Sequence, residues 1–222
     1  MAHLENGKLV YDQITKMAVC HGNYLVGKDK SYVDNLIWWA TTPQDLLRPR
    51  SNSTHTEIGV WVDNELWFFS STSRNRSGDG TVSNGTRWIK ATDLLTHPDR
   101  WILLEEVVIP PNEMMYLPSL KTFIPTKPVY KIHNMIERAN DMIPLAYDFV
   151  GVTAGFANPY RAVKKRYVKD IIKRGKEYCS AACHAVQFGW TVTISPKRYY
   201  RLAVKRGAKR IKDIVSYVKG RE

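Results

Sequence analysis

Cys179, His55 and Glu57 are the residues of this chain whose types and spacing could do chemistry. Cys179 opens a run of small residues, Cys179-Ser180-Ala181-Ala182-Cys183-His184-Ala185-Val186, that reads as a helix. The start of a helix favours negative charge, so a thiolate there is stabilised. Backbone N–H groups of the first turn could serve as an oxyanion hole. The small side chains that follow, Ser180 first, allow close packing on a sheet and close approach of a substrate. Cys183, one turn deeper, suits an ordinary buried thiol. His55 stands at the mouth of a strand, directly after a polar segment, where scaffolds present reactive groups. Glu57 lies two residues on and so shares a strand face with His55. A carboxylate beside a histidine can fix its tautomer and stabilise the imidazolium. The competing reading is a polar strand edge with an incidental histidine.

The remaining candidates are weaker. Cys20-His21 is a rival pair, but nothing around it sets up a helix N-terminus. His3, His97 and His133 have no partner pattern. Cys179, Cys183 and His184 make at most half of a zinc site, since structural zinc takes four ligands and no second cluster follows. No Gly-rich phosphate loop is visible. No metal and no cofactor are therefore expected.

Elements must position these residues. The clearest β signal is Thr56-Glu57-Ile58-Gly59-Val60-Trp61-Val62, a turn at Asp63-Asn64, and Leu66-Trp67-Phe68-Phe69-Ser70, together a hairpin. Arg87-Trp88-Ile89 and Trp101–Ile109 read as further strands, and Leu36–Trp39 as a short one. Thr42–Asp45 suggests a brief helical turn, Arg48–Ser53 a polar turn, and residues 71–85 a polar loop. Around Leu9, Ile14, Met17 and Ala18 there is a weak helical pattern. Helical spacing recurs over 129–143, near Tyr147-Asp148, over Lys164–Lys176 and over 177–188. From Ser195, an N-cap, and Pro196 at the first helical position, a basic amphipathic helix is expected to run to the end of the chain. Its apolar side would carry Tyr200, Val204, Ile211, Val215 and Val218.

The chain has 222 residues, 44% of them apolar, which suits one domain with a real core and excludes wholesale disorder. No apolar run is long enough to span a bilayer. Residues 1–19 lack the apolar core of a signal peptide. Three cysteines are too few for a disulfide framework. The formal charge of +12 is unevenly placed: residues 161–222 hold 18 Lys+Arg against 4 Asp+Glu, and residues 1–160 are nearly neutral. An anionic partner for the basic C-terminal helix (nucleic acid, membrane surface or another subunit) is thus one expectation.

The order of these pieces resembles the circularly permuted NlpC-like cysteine hydrolases of papain-like fold, especially the YiiX/YebB-like branch, relatives of lecithin retinol acyltransferase-like proteins. In that group the histidine precedes the cysteine. Asp34-Asn35-Leu36-Ile37-Trp38 looks like the family's opening strand, and Ser53–Val60 like its histidine strand. Trp67–Ser71 looks like the strand paired with it, Tyr147–Gly151 like the segment ahead of the nucleophile, and Tyr178-Cys179-Ser180 like the helix start. Family members often continue Cys-Ser with Glu, where this chain has Ala181.

The resemblance implies an α+β, permuted papain-like fold: a small antiparallel sheet packed on helices. It divides the chain into an N-terminal segment (1–30), a hydrolase domain (31–194) and the basic helix (195–222). It implies Cys179 as nucleophile, His55 as base, Glu57 or Ser70 orienting the ring, and Ser180 and Tyr178 near the substrate. Glu57 starts about 6.5–7 Å from His55 along the strand, and Ser70 lies across the hairpin. The substrate would be an amide or ester of a peptide, including cell-wall peptides, or of a lipid. The location would be cytoplasmic or in a particle such as a phage virion. The alternative is a non-catalytic assembly protein docking through its basic helix.

Overall fold

The hairpin expected at the centre of the chain organises the molecule. In the computed structural model, which describes residues 1–25, 53–76, 82–108, 114–117, 122–125, 132–148, 151 and 165–220, it is the middle of a six-stranded antiparallel sheet. Strands β1 (His3–Glu5) and β2 (Lys8–Val10) form a small hairpin. Strands β3 (Ile14–Leu25), β4 (Ser53–Val62), β5 (Glu65–Arg76), β6 (Val82–Lys90) and β7 (Trp101–Val107) follow, with a short helix α1 (Ala91–Leu94) after β6. Strands β8 (Met114–Leu117) and β9 (Thr122–Pro125) pair with each other.

The rest is mainly helical: α2 (Ile132–Asp141), α3 (Val168–Arg174), α4 (Cys179–Phe188), α5 (Pro196–Lys205) and α6 (Ile214–Val218). Two-residue strands separate them: β10 (Ala146–Tyr147), β11 (Arg166–Tyr167), β12 (Lys176–Glu177), β13 (Trp190–Thr191) and β14 (Lys209–Arg210). The large sheet runs β14-β7-β3-β4-β5-β6.

Strand alternation sends side chains to two buried faces. Ile58, Val60, Val62, Trp67 and Phe69 join one core with residues of α2, α4 and α5. Trp61, Leu66, Phe68 and Ile89 join a second with α1, Trp101, Ile211 and Tyr217. Asp63 and Asn64 both take positive φ, as the tight two-residue turn of a twisted hairpin requires. Gly85, at φ 137°, lies against the chain just before β10: a Cβ there would sit 1.9 Å from the Leu145 carbonyl oxygen. Only glycine lets β6 accept that crossing.

Several expectations are corrected. Residues 14–25 are a strand, paired with β4 on one side and β7 on the other, so the N-terminal segment belongs to the sheet. Its middle is buried on both faces and lacks clean alternation. The polar loop is narrower than 71–85, because β5 runs to Arg76 and β6 starts at Val82. Ala146-Tyr147 pairs with Lys176-Glu177 as a strand instead of starting a helix. The helix expected over 164–176 spans Val168–Arg174, after strand β11.

The continuous C-terminal helix is broken. Ser195 caps α5 and Pro196 opens it, but Gly207 turns the chain at φ 95°. Lys209-Arg210 then pairs with Leu104-Glu105 of β7. Lys197, in the first turn of α5, is buried despite its charge. The readings at Asp34–Trp38, Leu36–Trp39, Thr42–Asp45 and 48–52 lie outside the described residues.

Candidate active site

Strands β4 and β5 part company at one end, and that is where the candidate residues meet. They pair from Val62–Glu65 to Ile58–Phe69. Beyond that point β4 stays with β3 as far as Ser53, while β5 stays with β6 as far as Arg76. The sheet therefore forks. Backbone groups inside a fork lose their ladder partners and need others. The Thr56 carbonyl accepts from Ser70 Oγ (2.6 Å) and from Cys183 Sγ (3.4 Å). Cys183 Sγ also reaches the Phe69 carbonyl at 3.6 Å. Ser71 Oγ donates to the Glu177 carbonyl (2.6 Å) at the lead-in to α4. The first turns of α4 are thereby seated against the fork.

Cys179 is the first residue of α4, and its N-cap, Tyr178, makes no side-chain capping bond to the helix. The first-turn N–H groups keep their direction and partial positive charge for the sulfur or for an oxyanion. The His55 ring hydrogen-bonds the Cys179 side chain. Its Nε2 donates to Glu57 Oε1 at 2.7 Å. The distance between neighbouring positions on one strand face is closed by the reach of the two side chains. Glu57 is completely buried and takes a bidentate bond from Arg87 of β6: Nη2 to Oε1 at 2.8 Å and Nη1 to Oε2 at 3.1 Å.

Charges in this row set one another. Burial would drive Glu57 towards its neutral form, but Arg87 and then His55 hold it down to about 2. Burial would discharge His55, but the Cys179 side chain and the Glu57 carboxylate raise it to about 10. At neutral pH a carboxylate and an imidazolium therefore stand in line with the Cys179 side chain. Such a row can attack an acyl carbon and return a proton to a leaving group.

Ser70 spends its hydroxyl on the Thr56 carbonyl, and the hydrogen bond from the His55 ring is accepted by Glu57. Ser180 is buried and donates to the Ile194 carbonyl at 2.5 Å. The Tyr178 hydroxyl accepts from the Ile194 N–H at 3.0 Å. Both brace α4 against the segment leading to α5. Asp148, in the segment ahead of Cys179, caps Gly151 N–H (2.8 Å) and pairs with Arg174 (2.7 Å).

Cys20 and His21 are not a pair. Cys20 lies in the second core, where burial pushes its thiol up. His21, on the opposite face, meets Glu106 at 2.7 Å, and burial lowers its pKa. Burial also pushes Cys183 up, and His184 binds the Trp190 carbonyl through Nδ1. Arg87 was legible only as a strand residue. Nothing local in the sequence points from β6 to Glu57, because the two meet only when the sheet forms. No family model, curated protein or solved structure matches this chain.

Proposed function

We propose that this chain is a cysteine-dependent hydrolase, a peptidase or amidase of permuted papain-like fold, that works through an acyl-enzyme. The observation that carries the reading is the His55 ring bonded on one side to Cys179 at a helix start and on the other to a buried carboxylate. In the reaction the Cys179 sulfur attacks the acyl carbon of an amide or ester and a C–S bond forms. The first-turn amides of α4 steady the oxyanion. His55 gives its proton to the leaving nitrogen or oxygen as that bond breaks. It then takes a proton from water, whose oxygen displaces the sulfur.

The acyl group belongs to a peptide or a lipid, with cell-wall peptides as the first class to try and a phage particle as one setting. The C-terminal segment gives the assembly alternative less support than the sequence suggested, since α5, β14 and α6 are packed into the domain.

The test is labelling with an acyl-directed thiol probe, read by peptide mapping. Wild type is expected to label at Cys179. Cys179→Ala and His55→Ala should abolish labelling and turnover, His55→Ala by a factor of about 10²–10⁴, with unchanged circular dichroism. Equal labelling of folded His55→Ala sinks the proposal.

A further inference from the structure

The carboxylate beside His55 has a partner that the hydrolase reading does not use. Glu57 and Arg87 are both buried, at 0% and 2% exposure. They come from strands on opposite sides of the fork, β4 and β6, and are joined by two hydrogen bonds. Arg87 stands in register with Ser70, whose hydroxyl already holds the Thr56 carbonyl across the same opening. Opposite Glu57 on β3 is Gly22, which leaves the carboxylate its room: a Cβ there would lie 3.3 Å from that of Glu57.

A buried carboxylate with only a histidine for company has two cheap ways out. It can take the histidine's proton, or it can turn away. Either would uncouple it from the ring. A guanidinium fork matched to both carboxylate oxygens blocks both routes: it supplies a permanent charge and fixes the plane. We propose that Arg87 is a positioning residue of this site, clamping Glu57 across the fork as the anion that orients and charges His55. This rests on the hydrolase reading, because His55 matters only if Cys179 is the nucleophile. Arg87 touches neither substrate nor sulfur in this scheme and acts only through Glu57.

The test needs no substrate. Iodoacetamide alkylation of Cys179 is followed by peptide mass spectrometry across pH 5–11. Wild type is expected to alkylate rapidly at neutral pH, with a break in its profile near 10, where His55 loses its proton. In Arg87→Met the break should move down by a unit or more, and the neutral-pH rate should fall about tenfold or more. Arg87→Lys keeps the charge without the fork and should recover part of the loss. Glu57→Gln should reproduce the Arg87→Met profile, and the double variant should match Glu57→Gln alone.

Should Arg87→Met fail to fold, the double variant, which leaves no unpaired buried carboxylate, is compared with Glu57→Gln. Equal rates support the clamp, and a further tenfold loss overturns it. A wild-type profile in a folded Arg87 variant also overturns it while leaving the hydrolase reading intact. If wild-type Cys179 alkylates like a free cysteine, the hydrolase reading falls and the clamp with it.

Discussion

At the scale of single residues, the row from Arg87 to His55 ties stability to pH. Glu57 is held near 2 in the fold against an ordinary 4.5, so the unfolded chain binds the extra proton between those values. Its contribution is fully present above about pH 4.5 and is lost as pH falls towards 2. The size is on the order of 3 kcal/mol at 1.36 kcal/mol per pH unit. His55 runs the other way: its folded value is raised to about 10, so its contribution is present below about 6.5 and is lost as pH rises through 10. His184 is lowered by burial to about 4, so its protonation in the unfolded chain erodes stability as pH drops from about 6.5. Urea titrations across pH 2–11 should give a plateau near neutrality with losses on both sides. Glu57→Gln should flatten the step below 4.5, and an unchanged step in that variant would contradict the assignment. His55, Glu57 and Cys179 are legible in the sequence because strand period and helix start are local signals. Arg87 is not, because its role depends on which strand lies two places away.

At the scale of elements, the C-terminal segment is where a local pattern misleads. Apolar residues recur at helical spacing from Tyr200 to Val218, and the capping residues at Ser195-Pro196 do start a helix. The break comes from Gly207 together with a distant partner, the exposed edge of β7. On either side of the break the chain is fastened. Tyr217 donates to Glu105 at 2.5 Å and accepts from Trp61 Nε1 at 3.1 Å. Arg206 meets Glu106 at 2.8 and 3.0 Å, where His21 and Gln187 also bind.

A free arm could be removed without consequence, but this one cannot. Truncation after Lys205 should lower the melting temperature by more than 10 °C, since it strips cover from Trp61, Trp101 and Cys20 and removes the Arg206 guanidinium from Glu106. Loss of a buried pair's partner alone is worth about 3 kcal/mol, and each kcal/mol shifts a domain of this size by roughly 2–4 °C. Differential scanning calorimetry decides it, and an unshifted transition would restore the free arm. The N-terminal strand was illegible for the opposite reason. Its buried stretch includes His21, Gly22 and Asn23, so the apolar run that announces β4 from Ile58 to Val62 is absent from β3.

At the scale of the molecule, first and last segments share one sheet. β3 sits inside it, β14 closes one edge, and β7 lies between the two. An N-terminal segment and a C-terminal arm would each melt by themselves, whereas strands of one sheet melt with it. Thermal unfolding followed by tryptophan fluorescence and by far-ultraviolet circular dichroism should therefore give coincident single transitions. Two separated transitions would show independent units. Part of the +12 charge is also placed by this architecture: Lys209 and Arg210 of the basic segment lie on the sheet's edge beside β7.

The fork in the sheet decides when in the life of the chain Cys179 meets His55. The two are more than a hundred residues apart, and contacts of such long separation form late. Four strands must zip, two must diverge, and the helix must dock against the fork before they come together. On the proposed hydrolase reading, a nascent or half-folded chain therefore carries Cys179 as an ordinary thiol, and the site is armed only when folding is finished.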